Sequence, residues 1–394
     1  MQVHTRLCTR ARLPIVSSQT SFPAPSEKVQ GALAEVLFYW ESAASLAEDQ
    51  AIAGNGLAFR ANSGPFITQR DERQAKPQMK YGIQHPSFTY DGGTEAVETL
   101  STLSRTGEDL GFDSFWVMDH LHQIPSIGDQ AEPMFEGWTT ISVLAGLTSR
   151  IRLGTLVTGN SYRHPSVLAK IGASLDVLSK GRLFFGIGAA WNEVEADAYG
   201  IPFPPTAERL ARLDEAVRIV RRMWTEEKAN FSGKYYRLDG AICNPKPIQR
   251  PTPSILIGGG GEKVTLKIVA KHGDACNLFG SPETVKMKLA VLRKHCVRVG
   301  RDYDSILKSK LTRVLISEDE EEIRRKTAEF SARMRPGTQL RDSLIFGTPE
   351  QVQRQIDEFS EAGIQYLIVS FPGPDELRSL KLFGKTIIRK TEGS

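Results

Sequence analysis

Four short segments of this 394-residue chain hold residue types that could do chemistry. Trp116–Val117–Met118–Asp119–His120 ends in an acid followed by an imidazole. Asp119 offers acceptors, and His120 can give or take a proton near neutral pH. The plainer use of the pair is a capped loop and a histidine bonded to backbone. Gly154–Thr155–Leu156–Val157–Thr158–Gly159–Asn160–Ser161 is small and hydroxylated. It can approach a planar ligand closely and present backbone groups to its edge, although a strand end with a turn has the same composition. Gly186–Ile187–Gly188–Ala189–Ala190–Trp191–Asn192–Glu193 leaves room for a ligand, or for close strand–helix packing. A helix beginning within 191–199 would then offer amide N–H groups to an anion. Gly258–Gly259–Gly260–Gly261 is the fourth segment. Four glycines in a row are costly in backbone entropy, and packing alone would need one or two. A strand–glycine–helix junction makes a phosphate cradle, because free N–H groups and the helix dipole point the same way. It is not a Walker loop, since no Lys–Ser/Thr pair follows, and Lys263 stands where G-x-G-x-x-G needs its last glycine.

These segments need elements to position them. From Met79 onward, short apolar runs alternate with helical patterns. Strands are expected at 80–84, 114–118, 151–157, 182–188, 254–257, 274–278, 310–316 and 365–370. Helices are expected at 94–111, 137–149, 165–179, 206–224, 262–271, 282–299, 319–333 and 349–362. Leu168, Ile171, Leu175 and Leu178 form one apolar stripe. Thr348–Pro349–Glu350–Gln351 carries a capping-box pattern. The strands lack clean alternation, which suits a parallel sheet covered on both faces. Eight strand–helix units favour an α/β fold of the closed (β/α)8 TIM-barrel type, with an open doubly wound sheet as runner-up. In such a barrel the active site lies at the C-terminal ends of the strands, where all four segments fall.

Composition excludes several classes. There are 50 Lys+Arg against 46 Asp+Glu, a net charge of +4, with 40% hydrophobic and 24% charged residues. This is the profile of a soluble globular protein, not of a disordered chain. No apolar run approaches the roughly 20 residues needed to span a bilayer, so no membrane partner is expected. The small positive excess suits anionic small ligands, and without a basic block no nucleic-acid partner is expected. The four cysteines are too few for a disulfide scaffold, and none form C-x-x-C. His120 and His122 could share a metal on a strand, but no further ligands stand at suitable spacing, so no metal is expected. H-E-x-x-H and G-x-S-x-G are absent. An anion-binding loop, a roomy barrel mouth and few acid–base groups suit an enzyme whose cofactor carries the hard chemistry.

Residues 1–78 read differently. Arg6, Arg10 and Arg12 occur with no acid in the first 26 residues. An organelle-targeting peptide is one reading; a disordered tail or a misassigned start codon is favoured, because Met79 stands just before the first strand. No apolar h-region follows the arginines, so the expected location is cytoplasmic. The folded domain is expected at 79–394, large enough to bury roughly three-quarters of its unfolded surface.

Residues 79–373 resemble the luciferase-like monooxygenase superfamily. The resemblance rests on 111–120 (Gly-Phe-Asp-Ser-Phe-Trp-Val-Met-Asp-His), 152–158, 175–182, 186–193, 198–203 and 255–261. Together these look like the coenzyme F420-dependent oxidoreductase branch. The resemblance implies a (β/α)8 barrel with insertions, often a homodimer, with F420 or a flavin in the mouth. It implies a non-prolyl cis peptide near Thr155–Leu156 backing the ring, with Thr155, Leu156, Val157 and Thr158 around it. It places Asp119 and His120 near the polar edge of the ring and the substrate. Gly188, Ala189, Ala190, Asn192 and Glu193, with Gly258, Gly259, Gly260 and Gly261, would line the tail and its phosphate. Some F420-dependent relatives supply a carboxylate from the strand-4 loop as proton donor; Ala190 and Trp191 stand there in this chain. The leading expectation is an F420-dependent oxidoreductase moving a hydride to or from a small organic substrate. His120 would handle the proton, and Asp119 would orient the head group or the histidine. The alternatives are a reduced-FMN monooxygenase of alkanesulfonate or luciferase type, and a non-catalytic flavin- or deazaflavin-binding barrel. The substrate pocket is expected from the loops 121–136, 229–253 and 334–347.

Overall fold

The alternation of apolar runs and amphipathic helices winds the chain one way around a single sheet. A computed structural model of the protein describes residues 78–88, 95–332, 334 and 339–389. The expectations for the first 77 residues lie outside the described residues. The first half contains β1 (Lys80–His85), α1 (Ala96–Leu110), β2 (Ser114–Val117), α2 (Gly137–Leu147), β3 (Arg152–Thr155), β4 (Thr158–Gly159) and α3 (Pro165–Leu178). Then come β5 (Phe185–Gly188), α4 (Glu193–Ala198), α5 (Thr206–Thr225), β6 (Ala229–Ser232) and β7 (Arg237–Ala241). The second half contains β8 (Ile255–Gly258), α6 (Thr265–His272), β9 (Ala275–Leu278), α7 (Pro282–Val299), β10 (Leu307–Ile316) and α8 (Glu320–Ala332). It ends with α9 (Leu340–Ser343), β11 (Leu344–Gly347), α10 (Pro349–Glu361), β12 (Tyr366–Ser370) and α11 (Glu376–Phe383).

The strands pair in the order β3-β2-β1-β12-β10-β9-β8-β5-β4, all parallel. β4 continues β3 past a bulge, so β3 and β5 meet and the sheet closes as the expected eight-stranded barrel. That closure is a thin seam. It consists of the Leu153–Leu183 bridge, the two residues of β4, and the Asn160 N–H to Gly188 carbonyl bond of 2.9 Å. Between them, a Cβ at Gly186 would sit 2.0 Å from the Thr155 carbonyl, so only glycine fits.

Alternate residues of each strand point into the barrel. Trp116, Leu156, Phe184, Leu256, Ala275, Tyr366 and Ile368 fill it, with Val157, Leu307 and Leu311 packed against them. Trp116 is fully buried, and the neighbouring strands make room for it with Gly154, where a Cβ would lie 2.5 Å from the indole. A larger apolar layer lies between strands and helices. In α3 the buried face runs through Leu168, Ala169, Gly172, Ala173 and Leu175. The expected stripe is rotated: Leu178 is 76% exposed. Small residues turn inward because α3 packs on α5, with Gly172 close to Trp224.

The other differences are local. The capping box at Thr348 and Gln351 forms, with Pro349 in the first turn of α10. The expected helix at 262–271 starts only at Thr265, so three non-helical residues separate it from the glycine run. The segment 229–253 contains the antiparallel β6–β7 hairpin. It follows α5 and lies against the outer helices: Glu215 accepts from the N–H groups of Lys234, Tyr235 and Tyr236, and Asp176 from those of Ile248 and Gln249. It is therefore scaffold over α3 and α5, not a wall of the substrate pocket as expected. β10 stays paired with β12 as far as Arg313, and from Arg313 to Ile316 it also pairs with β11.

Candidate functional site

Asp119 and His120 leave the C-terminal end of β2 and diverge. The Asp119 side chain is buried, and its Oδ2 accepts from Thr158 Oγ1. Arg163 grips it with Nη1 at 2.7 Å from Oδ2 and Nη2 at 3.0 Å from Oδ1, a forked geometry that combines charge with direction. The same guanidinium meets Glu136, the residue that caps α2 by accepting from the Thr139 N–H at 2.6 Å. Gly137 lets this cap close, since a Cβ there would lie 2.8 Å from the Met118 carbonyl. Burial alone would lower the Arg163 pKa, but Asp119 and Glu136 outweigh it and raise it. Glu136 stays below the usual carboxylate range, because bonds from Thr139 and the charge of Arg163 overcome its burial. Thr158 is also fully engaged, accepting from Trp138 Nε1 and Arg163 Nη1, each at 3.2 Å. Asp119 and Thr158 are thus committed to protein partners, and Asp119 does not hold His120.

Glu195 holds His120. Its carboxylate is fully buried, with Oε2 at 2.7 Å from His120 Nδ1 and 2.6 Å from the Tyr162 hydroxyl. Oε1 accepts from the Leu121 N–H, and from that of His122 at 3.4 Å. Burial pushes the Glu195 pKa up, but these donors overcome it and the net shift is downward. The same contact and burial raise Tyr162 well above the ordinary phenol. An ionised Glu195 fixes the proton of a neutral His120 on Nδ1, leaving Nε2 to act as base or, once protonated, as acid. Among the described residues no group bonds to Nε2. Trp191, 60% exposed, stands edge-on to the ring at 5.4 Å. His122 turns away, to the Gln123 carbonyl and to Gln130. Among the described residues no three His, Cys, Asp or Glu side chains are grouped to hold a metal.

The wall beside His120 comes from the bulge between β3 and β4. A cis peptide is present, but between Leu156 and Val157, one bond later than expected. Thr155 is buried, with its hydroxyl 3.4 Å from the Gly186 carbonyl. Leu156 is nearly buried, and Val157 alone of 153–160 is partly exposed. Val157 lies over two of the glycines: a Cβ would approach its side chain to 2.7 Å at Gly188 and 2.9 Å at Gly258. Those two are glycines for packing. Ala189 and Ala190 are half-buried at the rim, and Ala190 has φ of 59°, a left-handed backbone that L-residues rarely adopt. Asn192 is buried, Glu193 exposed.

Gly259, with φ of 111°, requires glycine; its N–H donates to the Asn277 carbonyl at 3.2 Å. Gly260 and Gly261 are half-exposed; Gly260 is bordered by the flexible end of Lys288, and a Cβ at Gly261 would lie 2.8 Å from the Thr265 hydroxyl. Lys288 Nζ donates to the Gly260 carbonyl at 2.9 Å and stands 3.8 Å from the Glu262 carboxylate, so the loop carries an ion pair. The loop thus presents backbone and Lys288 rather than a helix N-terminus. A cofactor with an anionic tail fits these residues. Asn160 Oδ1, Ser161 Oγ and Asn192 Nδ2, beside the same bulge and loop, are buried and have no partner among the described residues. Buried polar atoms are ordinarily bonded, so the bulge and loop still call for a polar partner.

Comparison with known proteins accords with this geometry. The sequence profile of the luciferase-like monooxygenase family matches residues 79–366, and the chain belongs to that family. An F420-dependent glucose-6-phosphate dehydrogenase of Kineococcus radiotolerans is 29% identical over 317 residues, covering 73% of this chain and 91% of that protein. The F420-dependent tetrahydromethanopterin reductase of Methanopyrus kandleri shares the fold, with a TM-score of 0.67 at 21% identity over 79% of this chain and 99% of that one. A monooxygenase of Streptomyces bottropensis superposes with a TM-score of 0.65 at 25% identity, over 79% of this chain and all (100%) of that one. Glu195, Tyr162, Arg163, Glu136 and Lys288 are the site residues that sequence reasoning missed. Tyr162 and Arg163 directly follow the segment singled out at 154–161, which is the signal that could have found them.

Proposed function

We propose that this protein is an F420-dependent oxidoreductase that moves a hydride between the deazaflavin and a small organic substrate. The observation that carries the chemistry is His120, held at the mouth through Nδ1 by a buried Glu195, with Nε2 unengaged among the described residues. Relatives named for F420 support the choice of cofactor. Bound F420 supplies the carbon that accepts or releases hydride. His120 Nε2 takes up or returns the accompanying proton, and Glu195 fixes its tautomer and steadies the imidazolium. Asp119 acts at one remove, locking Arg163 and Thr158 and so the bulge at 156–158. Val157, Ala189 and Ala190 supply the face against which a flat ring can lie. Gly259, Gly260, Gly261 and Lys288 would hold the anionic tail. The reading includes a homodimer in the cytoplasm without nucleic-acid or membrane partners. Among the described residues no helix is long and apolar enough to cross a membrane.

Titration of the purified chain with F420 and with FMN, followed by fluorescence quenching, tests the cofactor. F420 is expected to bind more tightly, and Gly260→Asp to weaken it at least tenfold by setting a carboxylate beside the tail. Glucose 6-phosphate, the substrate named for the relatives, is the first to try. Preference for FMN with oxygen-dependent turnover would replace this reading with a monooxygenase. Tight binding without turnover of any substrate would leave a carrier.

A further inference from the structure

We propose that Arg313 and Ser370, side by side on β10 and β12 at the barrel mouth, form a docking point for an anionic group, a carboxylate or phosphate, on the substrate. The two residues are register partners. Leu311 and Leu307 pack against the barrel filling, as do Tyr366 and Ile368 on the neighbouring strand. Two residues further along, Arg313 and Ser370 face the same way by strand alternation, one layer nearer the mouth. One hydrogen bond of Arg313 supports this placement. Its Nη2 donates to the carbonyl of Ser126 at 3.3 Å, and Ser126 belongs to the loop that follows β2, three strands away around the barrel. That contact spans the rim.

Among the described residues the rest of the guanidinium is unused. A guanidinium has five N–H donors, and among the described residues this one makes that single bond. The ring of Phe330 lies 5.5 Å from its Cζ, and no described carboxylate lies within ion-pairing distance. Burial pushes its pKa down, the sign of a cation short of compensation. The Ser370 hydroxyl is also without a hydrogen bond among the described residues, although the residue is buried. An unpaired cation in a partly dry site is costly, and an anion that brings its own acceptors relieves the cost. A planar carboxylate or a phosphate can take two parallel N–H bonds from the fork while the serine donates a third.

The inference rests on the mouth being the substrate site, and its test is run so that the two fail separately. F420 affinity is measured first for wild type, Arg313→Met, Arg313→Lys and Ser370→Ala; it is expected to be equal in all four, and its absence in wild type would count against the cofactor reading alone. Inorganic phosphate and succinate are then titrated against F420-saturated protein, with thermal stability as the readout; should F420 not bind, the Gly260→Asp background removes the competing glycine loop. At least one anion should raise Tm in wild type. The rise should vanish in Arg313→Met, survive in part in Arg313→Lys, and need several-fold more anion in Ser370→Ala. A response to phosphate alone assigns a phosphate ester, and to succinate alone a carboxylate. An equal response of wild type and Arg313→Met, or no response in wild type, overturns the proposal.

Discussion

The two sides of the barrel mouth handle charge differently. On the side of β2, β3 and β5, each charged group that points inward meets its counterpart: Asp119 with Arg163, Arg163 with Glu136, His120 with Glu195. On β10, two cations, Arg313 and Lys310, make no ion pair among the described residues. Arg313 faces the mouth with one bond. Lys310, turned outward on the same strand, is buried beside Phe359 with one bond to the Leu311 carbonyl. Paired groups are fixed in direction, which is what a ring platform and a proton carrier need. Unpaired groups keep capacity for a partner that arrives later. The mouth is thus half finished by the chain itself and half left open.

Four substitutions would break or sharpen this contrast. His120→Ala should cost most, about 10²- to 10⁴-fold in kcat, the usual worth of a positioned acid–base group. The pH–rate profile should lose the limb of the imidazole, while F420 affinity holds; a rate within threefold of wild type would remove His120 from the chemistry. Asp119→Asn should next destabilise the fold by about 3 kcal/mol, because it strips a buried guanidinium of its forked partner. Denaturant melts report it, and the shape of the pH–rate profile should not change.

Lys310→Met tests the opposite side and should stabilise, by about 2 kcal/mol at pH 7. Burial pushes the Lys310 ammonium down to about 8 from an ordinary 10.5. Between those values the unfolded chain holds the proton and the folded one does not, so wild-type stability should climb as pH rises from about 8 toward 10.5. In the methionine variant that climb should flatten; an unchanged slope would mean the lysine is better solvated than its surroundings imply. Ala190→Gly is the smallest change. It should add about 0.5 kcal/mol, since a left-handed backbone costs an L-residue about 1–2 kcal/mol and glycine entropy returns part of it.

The barrel was legible because eight short apolar runs and their intervening helices announce themselves through local pattern. The extra strands were not. β4 is a two-residue continuation past a bulge, and β6 and β11 sit in segments whose Pro, Tyr and Gly content resembles loop. The site divided along similar lines. Asp119, His120 and the glycine run stand at strand ends, a position the fold rule identifies. Glu195 was passed over for Glu193 because α4 has six residues, too few for periodicity to say which carboxylate turns inward. Arg163 depends on a partner 44 residues earlier, and no local pattern encodes that pairing. Arg313 required knowing which residues of β10 share a face with Leu311.

The join between β3 and β5 has a consequence of its own. Elsewhere each stave of the cask is laced to its neighbour over three to five paired positions, whereas here one bridge and a two-residue splice do the work. Deuterium should therefore enter the backbone amides of 154–160 sooner than those of β1 or β12. A vessel that gives along one line can widen or narrow for its contents without coming apart, and that line runs beneath the place where a flat molecule would rest.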